Sequence, residues 1–530
     1  MRSVRITSLV LLAGALAGAL VWQSTESPPA SDDGPPALRA GVALPAARTE
    51  PTLSSTWFCA GGTGRDGGSA DHDVLIANPT DRARTATVTV LTGEVSRAPS
   101  PEDVAAGEPS TTSTTASTTT TTAVPTTTGP KPSPRERQVA VPAQSRVELR
   151  LADISQAQLV GAVIEVDGGR IAVEHSVTGP LGRATAPCST TASPTWSFPW
   201  GVTARGAREL LVFMNPFPDD ATVDIDFATD EGVRDTARFQ GFVVPGRSVV
   251  GAFIDQDVTR KAQVSAHARV RGGRLIIDRI QMFDGTDTRE GITLGLGVPT
   301  PAEVWMFPTG ETGPGLTEQV VVFNPSDDVA EVEVEARLDD PTTNGTPEPF
   351  ALTVAPGRYS IVDVHNEDRV PPGVGHALIV RSLNGVPVTA ERVNAGSDPA
   401  PRRGITATTG SPFGAPIWYF AGGGPTGARD EYLVLLNTSI DTPVTFSVTG
   451  FSSGQTIAVQ NQQSQTLVPG GRAVIRLGDS LDRADLPVMI TADGPIVAER
   501  GLYRIGGRGI SQAMGIPLAE GLFVPDPVDS

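Results

Sequence analysis

The chain is poor in the side chains that most often build catalytic and metal centres. Its 530 residues include two cysteines and five histidines. The histidines (His72, His175, His267, His365, His376) fall in no H-x-x-x-H or H-E-x-x-H array, so a zinc hydrolase is not expected. No G-x-S-x-G nucleophile elbow occurs. Cationic surplus is missing too: the formal net charge is −18. That balance argues against nucleic acid as a partner and disfavours an anionic membrane surface. The sequence thus yields no catalytic residue, no metal ligand and no cofactor.

Long apolar runs are scarce as well. One stretch, residues 6–22, follows Arg2 and Arg5 without a charge. As a helix it would span about 25 Å, just short of a bilayer core, which fits a signal anchor or a signal peptide over residues 1–23. The reading adopted is an extracytoplasmic protein anchored to the cell membrane through residues 6–22, with secretion after signal cleavage as the alternative. Residues 24–55 carry Pro28, Pro29, Pro35, Pro36 and Pro45 and read as a disordered linker. In an exported chain the pair Cys59 and Cys188 is expected to form a disulfide bond instead of a metal site.

What the sequence has in quantity is glycine (57), proline (46) and repetition. Four segments open on a tryptophan and reach an asparagine about twenty residues later: Trp57 to Asn78, Trp196 to Asn215, Trp305 to Asn324 and Trp418 to Asn437. Each then carries an arginine near a turn (Arg146, Arg247, Arg358, Arg472) and an acid in an apolar strand (Glu174, Asp278, Glu391, Glu499). A period of about 110 residues is long enough for each copy to be a domain. The expected boundaries are 56–190, 191–300, 301–411 and 412–521, with residues 522–530 as a C-terminal strand and tail.

Within each copy, short apolar and β-branched runs alternate with turn signals at the density of a β-sandwich. Val332 and Val334 interleave with Glu331, Glu333 and Glu335; Val223, Ile225 and Phe227 interleave with Asp224 and Asp226. Gly168-Gly169, Gly272-Gly273, Asn384-Gly385 and Asp493-Gly494 read as hairpin turns before the last strands. The expected fold is all-β, four tandem immunoglobulin-like sandwiches, with a four-bladed β-propeller as the alternative. The first copy is interrupted by a Ser/Thr/Pro-rich insertion, residues 95–137, read as a disordered loop and open to O-glycosylation.

The repeated acids are the obvious catalytic candidates, since paired carboxylates hydrolyse glycosides. One acid per copy at an equivalent position fits a fold-specific salt bridge better, with the turn arginines as its expected partners. Asp219, Asp220, Asp224, Asp226 and Asp230 miss the EF-hand spacing and read as a solvated acidic face. Trp418, Tyr419 and Phe420, followed by three glycines, form the one candidate glycan platform.

The forms Trp-x-Phe, Leu-x-x-x-Asn-Pro, Pro-Gly-Arg and Val-x-x-Glu-Arg, together with the apolar N-terminus and the Ser/Thr insertion, resemble an uncharacterised family of exported actinobacterial proteins classed as a domain of unknown function. The resemblance implies export and sandwich repeats and transfers no catalytic residue. The function expected is a non-catalytic cell-envelope protein that binds or scaffolds a cell-wall polymer or another exported protein. The alternative is a glycan-binding or glycan-active cell-wall enzyme using acids such as Glu391 or Glu499.

Overall fold

Strict alternation of apolar and polar residues folds as strands with one face buried, and 59% of the chain is strand against 4% helix. The computed structural model describes residues 44–65, 67–96, 133–423, 429–481 and 486–525. All of them belong to one compact unit, residues 40–530. The third copy shows the plan most simply. One four-stranded sheet runs Val304–Gly310, His376–Ser382, Ala330–Leu338, Phe350–Val354; the other runs Tyr359–Val362, Leu316–Phe323, Thr389–Gly396, Gly404–Thr409. Trp305, Phe307, Val320, Val322, Val332, Val334, Leu378 and Val380 from both sheets form one core cluster. In the second copy the alternating Val223, Ile225 and Phe227 are likewise buried.

The glycine turns before the acid strands are corners and not hairpins. Ser265–Gly272 pairs with Ala221–Thr229 and Thr195–Phe198, whereas the acid strand Ile276–Asp284 pairs with Ala207–Asn215 and Glu290–Leu296. The chain therefore changes sheets at the glycine. Gly168, Gly273 and Gly385 take positive φ there. In the fourth copy the strand Val488–Arg504 runs on through Asp493 and Gly494 and changes partners without a turn.

Four strands that follow the acid strands meet in the middle: Gly182–Pro187, Glu290–Leu296, Gly404–Thr409 and Ile510–Met514. Each packs against the next, and the fourth packs against the first. All four strands, with Leu44 and Pro45, line a small half-open cavity of about 40 Å³.

The N-terminal end differs from the expected organisation. The stretch read as a linker is structured from Leu44 onward: Leu44, Ala46 and Ala47 are buried, and the Ala47 N–H donates to the Pro517 carbonyl at 2.8 Å. At the other end Phe523 bridges to Gly414, so the C-terminal strand completes the fourth copy. The transmembrane helix, the membrane partner and the membrane-anchored localisation are also corrected. Among the described residues no helix is long and apolar enough to cross a membrane, because the apolar residues are spent on short strands with internal partners. Residues 6–22 lie outside the described residues, as does the Ser/Thr tract. The strands flanking that tract, Arg84–Ser96 and Arg135–Val141, pair antiparallel.

Candidate functional site

Each copy builds the same buried constellation from five sequence positions. The first is the tryptophan: Trp57, Trp196, Trp305 and Trp418 are fully buried. The indole N–H groups of Trp196, Trp305 and Trp418 donate to the carbonyls of Leu275, Val388 and Ile496 at 2.8–2.9 Å. Each acceptor lies three residues before the acid of its own copy. In the first copy that position is Ile171, and the Trp57 Nε1 has no partner among the described residues. The asparagine is the second position, and its amide clasps a turn in all four copies. Asn324 Nδ2 donates to Asp328 O at 2.6 Å and Val354 O at 2.9 Å, while its Oδ1 accepts from Ser326 N at 3.0 Å. Asn78, Asn215 and Asn437 repeat the pattern.

Third comes the aromatic two residues after the tryptophan. Phe198, Phe307 and Phe420 pack on Gly297, Gly410 and Gly515, where an added Cβ would come within 2.6–2.8 Å of the ring. In the first copy both positions are cysteine, and Cys59 and Cys188 form a disulfide with Cα atoms 4.7 Å apart. The equivalence is fixed by hydrogen bonding: Cys188, Gly297 and Gly515 each donate their N–H to the carbonyl just before the acid, at 3.0–3.1 Å. A covalent bond thus replaces a ring-on-glycine contact.

The acid and the residue after it are the fourth and fifth positions, and they join different copies. Arg279 of the second copy grips Glu391 of the third, with Nη1 to Oε2 at 2.9 Å and Nη2 to Oε1. Arg392 grips Glu499 of the fourth at 3.2 and 2.5 Å. Arg500 returns to Glu174 of the first at 2.8 Å. The remaining seam has His175 Nε2 facing Asp278 Oδ2 at 3.6 Å. Each acid also accepts a backbone N–H from just after the tryptophan of the copy that supplies its arginine or imidazole: Ala60 to Asp278, Trp200 to Glu391, Thr309 to Glu499 and Gly422 to Glu174, at 2.8–3.2 Å. The interlocks run from first to second, second to third, third to fourth and fourth to first.

The arginines expected to partner the acids do other work. Arg472 pairs with Asp339 at 2.5 Å across the seam between the third and fourth copies, and Arg146 donates to Gly423 O at 3.1 Å. The Arg358 guanidinium lies beside Gly232 of the second copy, its carbonyl accepts the Asn324 N–H, and Arg247 takes a positive φ in its turn. The partners sequence reasoning missed are the residues immediately after each acid.

A second row of buried groups was also missed. Six residues before each asparagine stand His72, Glu209, Glu318 and Glu431, all at most 1% exposed. Five residues after each tryptophan stands a glycine, and an added Cβ at Gly201 would lie 2.2 Å from Glu209 Oε2, at Gly423 2.4 Å from Glu431 Oε1, and at Gly310 2.4 Å from the ring of His376, the partner of Glu318. Gly62 opposes His72 in the same way. In the third copy Glu318 meets His376 Nε2 at 2.8 Å and lies 3.9 Å from Arg392 Nε. The first copy departs again: His72 Nε2 lies 3.0 Å from His175 Nδ1, and His72 Nδ1 donates to Val160 O at 2.8 Å. The spacing Trp-x4-Gly with Glu-x5-Asn was readable, but buried charge is the rarer expectation for such a glutamate.

Burial sets the protonation of this interior. It pushes Glu209 up to about 8, with Arg279 opposing, and Asp278 up to about 8 against the N–H groups of Ala60 and Gly61. It pushes His72 down to about 4 and His175 well below its usual value, the latter helped by His72. A carboxyl raised on folding holds a proton that the unfolded chain has released, so stability falls as pH rises toward the folded value. A histidine lowered on folding has the opposite sign, with loss as pH falls below about 6.5. Between pH 6.5 and 8 only the carboxyls act. Stability should therefore decline across that window, by about 1.4 kcal/mol per pH unit for each such group at most. Glu209→Gln should remove one proton's worth of that slope in urea unfolding at pH 6.5 to 8. An unchanged slope would refute the assignment.

The candidate glycan platform is corrected by burial. Trp418 and Phe420 are inaccessible and Tyr419 is 3% exposed, and Phe420 lies under the Arg500 guanidinium at 5.4 Å. No face of these rings is open to a sugar. The aspartates of the second copy are paired with neighbouring cations: Asp224 with Arg271, Asp226 with Arg269, and Asp230 with Lys261 at 2.8 Å. Among the described residues no group of three or more His, Cys, Asp or Glu is placed to hold a metal ion.

Comparison with solved structures gives weak likenesses. The chain is similar to Thermotoga maritima 1070 (17% identity, 21% of this chain and 94% of that one, TM-score 0.19) and to the Anabaena sensory rhodopsin transducer (22%, 18% and 88%, TM-score 0.15). A Streptomyces avermitilis α-L-rhamnosidase aligns over 85% of this chain and 57% of its own at 9% identity and TM-score 0.11. No curated protein matches. Residues 172–277, running from the acid strand of the first copy to the acid strand of the second and thus one full period, match a family of unknown function, DUF5719.

Proposed function

We propose that the chain is a non-catalytic binding or scaffolding protein of an oxidising compartment, built as four like β-sandwiches joined head to tail, with a cell-wall polymer or another exported protein as its partner. The observation that carries this reading is the fate of the repeated acids. Glu174, Asp278, Glu391 and Glu499 are at most 2% exposed and each is held by a cation or imidazole of another copy. A carboxylate that acts on a glycoside must reach the scissile bond. The Cys59–Cys188 bond supports the compartment. Two sheets around one core in the third copy favour a sandwich over a propeller blade, which is a single sheet.

The test is sedimentation of the purified full chain with isolated cell walls, with released reducing sugar measured in the same tube. Retention without sugar release is expected. Sugar release that Glu499→Gln abolishes at undiminished stability would overturn the proposal.

A further inference from the structure

In a molecule made of four copies, a side chain needed by the fold recurs, and one needed at a single place breaks the pattern. Three such breaks converge at the seam between the fourth and first copies, and all three introduce arginine. Pairing registers fix the equivalences. Arg183 stands across from Thr178, four residues after Glu174; the same position is Ile292, Ile405 and Ile510 in the other copies, each at most 5% exposed. Arg504, five residues after Glu499, stands where the others have Gly179, Phe283 and Gly396. Arg429, eight residues before Asn437, replaces Ala70, Ala207 and Leu316.

Arg429 and Arg504 are direct cross-strand partners. Like charges placed opposite in an antiparallel pair destabilise the sheet, while the corresponding pairs elsewhere are Ala207 with Phe283 and Leu316 with Gly396. Arg508 of the adjoining turn adds a fourth guanidinium. These four arginines line a cavity of about 290 Å³ together with the hydroxyl-bearing Thr178, Thr185 and Ser511 and the side chains of Leu502 and Tyr503. Nearby carboxylates answer only part of the charge. Glu148 takes Arg183 at 2.9 Å, and Glu290 takes Arg508. Neither Arg429 nor Arg504 forms an ion pair with a described carboxylate. Burial, with the neighbouring Arg183 and Arg500, pushes Arg429 below its usual value although Glu431 and Glu148 oppose the shift, the direction expected of crowded cations.

We propose that this cavity is an anion-binding site for a small organic phosphate, a phosphoryl dianion carried on a group of about monosaccharide size. Guanidinium groups approaching from several strands suit a tetrahedral oxyanion with three free oxygens better than a planar carboxylate with two. The volume lies at the small end of ligand sites. On a chain of net charge −18 the site is a local inversion of the surface field.

The full chain is titrated calorimetrically with glucose 1-phosphate, inorganic phosphate and glucose in about 0.15 M salt, the ionic strength at which loose surface attraction is screened. Saturable 1:1 binding of glucose 1-phosphate is expected, with inorganic phosphate weaker and glucose silent. Arg429→Ala with Arg504→Gly installs residues that other copies carry and should weaken binding about tenfold or more. Without phosphate the same pair should raise the melting temperature, since it removes a like-charge contact; a structural role would lower it. If that pair does not fold, Arg183→Ile serves the same purpose. Absence of saturable phosphate binding, or equal affinity in the variants, would overturn the proposal, as would glucose binding equal to that of its phosphate. Inorganic phosphate binding as tightly as the sugar phosphate would overturn the organic carrier.

Discussion

Glu499→Ala is expected to lower the free energy of unfolding by about 3–5 kcal/mol, the range for breaking a buried ion pair from one side. Three hydrogen bonds end on Glu499: two from Arg392 and one from the Thr309 N–H. Its loss leaves Arg392 fully buried with Glu318 at 3.9 Å and Gln512 Oε1 at 2.9 Å as its remaining acceptors. The exposed Glu331, on the alternating strand of the third copy, provides the control. Glu331→Ala should change stability by no more than about 0.5 kcal/mol. The double variant Arg392→Met with Glu499→Leu should recover part of the loss, because paired removal leaves no orphan charge. Denaturant unfolding of the three variants decides the matter. A single-site loss no larger than that of Glu331→Ala would show that the interlock contributes nothing to stability.

The second large effect concerns the disulfide. Cys59→Ala with Cys188→Ala opens a loop of 129 residues, for which the chain-entropy account gives a loss of about 4–5 kcal/mol. The other copies suggest the remedy. Cys59→Phe with Cys188→Gly restores the ring-on-glycine contact that those copies use, and burying the ring should return about 1.5–3 kcal/mol relative to the alanine pair. If the Phe/Gly variant is no more stable than the alanine pair under non-reducing conditions, the two arrangements are not interchangeable and the first copy has diverged in backbone as well as in side chain.

Much of the interior of a single copy was legible in the sequence. Trp305, Asn324 and the alternation around Val332 mark features that are local or close within one period, and hydrophobic spacing reports those directly. The Cys59–Cys188 pairing followed from there being only two cysteines. What was hidden depends on which residues meet across more than a hundred positions. Arg392 reaches Glu499 over 107 residues and Arg500 reaches Glu174 over 326, and no periodicity carries that information. The turn arginines were the wrong partners for the same reason: Arg472 and Glu499 share a copy, whereas every acid is held from outside its copy. Trp418, Tyr419 and Phe420 misled because an aromatic cluster beside glycines looks alike whether the glycines form a loose loop or admit a buried carboxylate such as Glu431. The arginine substitutions at 183, 429 and 504 became visible only once strand register aligned the copies.

The seam between the fourth copy and the first gives the molecule a sense of its own length during synthesis. Glu174 is made early, yet its cation at Arg500 leaves the ribosome more than three hundred residues later. Until then the carboxylate must stay hydrated, since burying it alone would cost several kcal/mol. The first copy therefore cannot shut its interior before the last arrives, and the pairing of Ala47 with Pro517 and Ala519 places the same condition on the N-terminal stretch. A nascent chain broken off anywhere before Arg500 would present an open, hydrated face where the finished protein has a dry one. Quality-control proteases could read that difference without recognising any sequence.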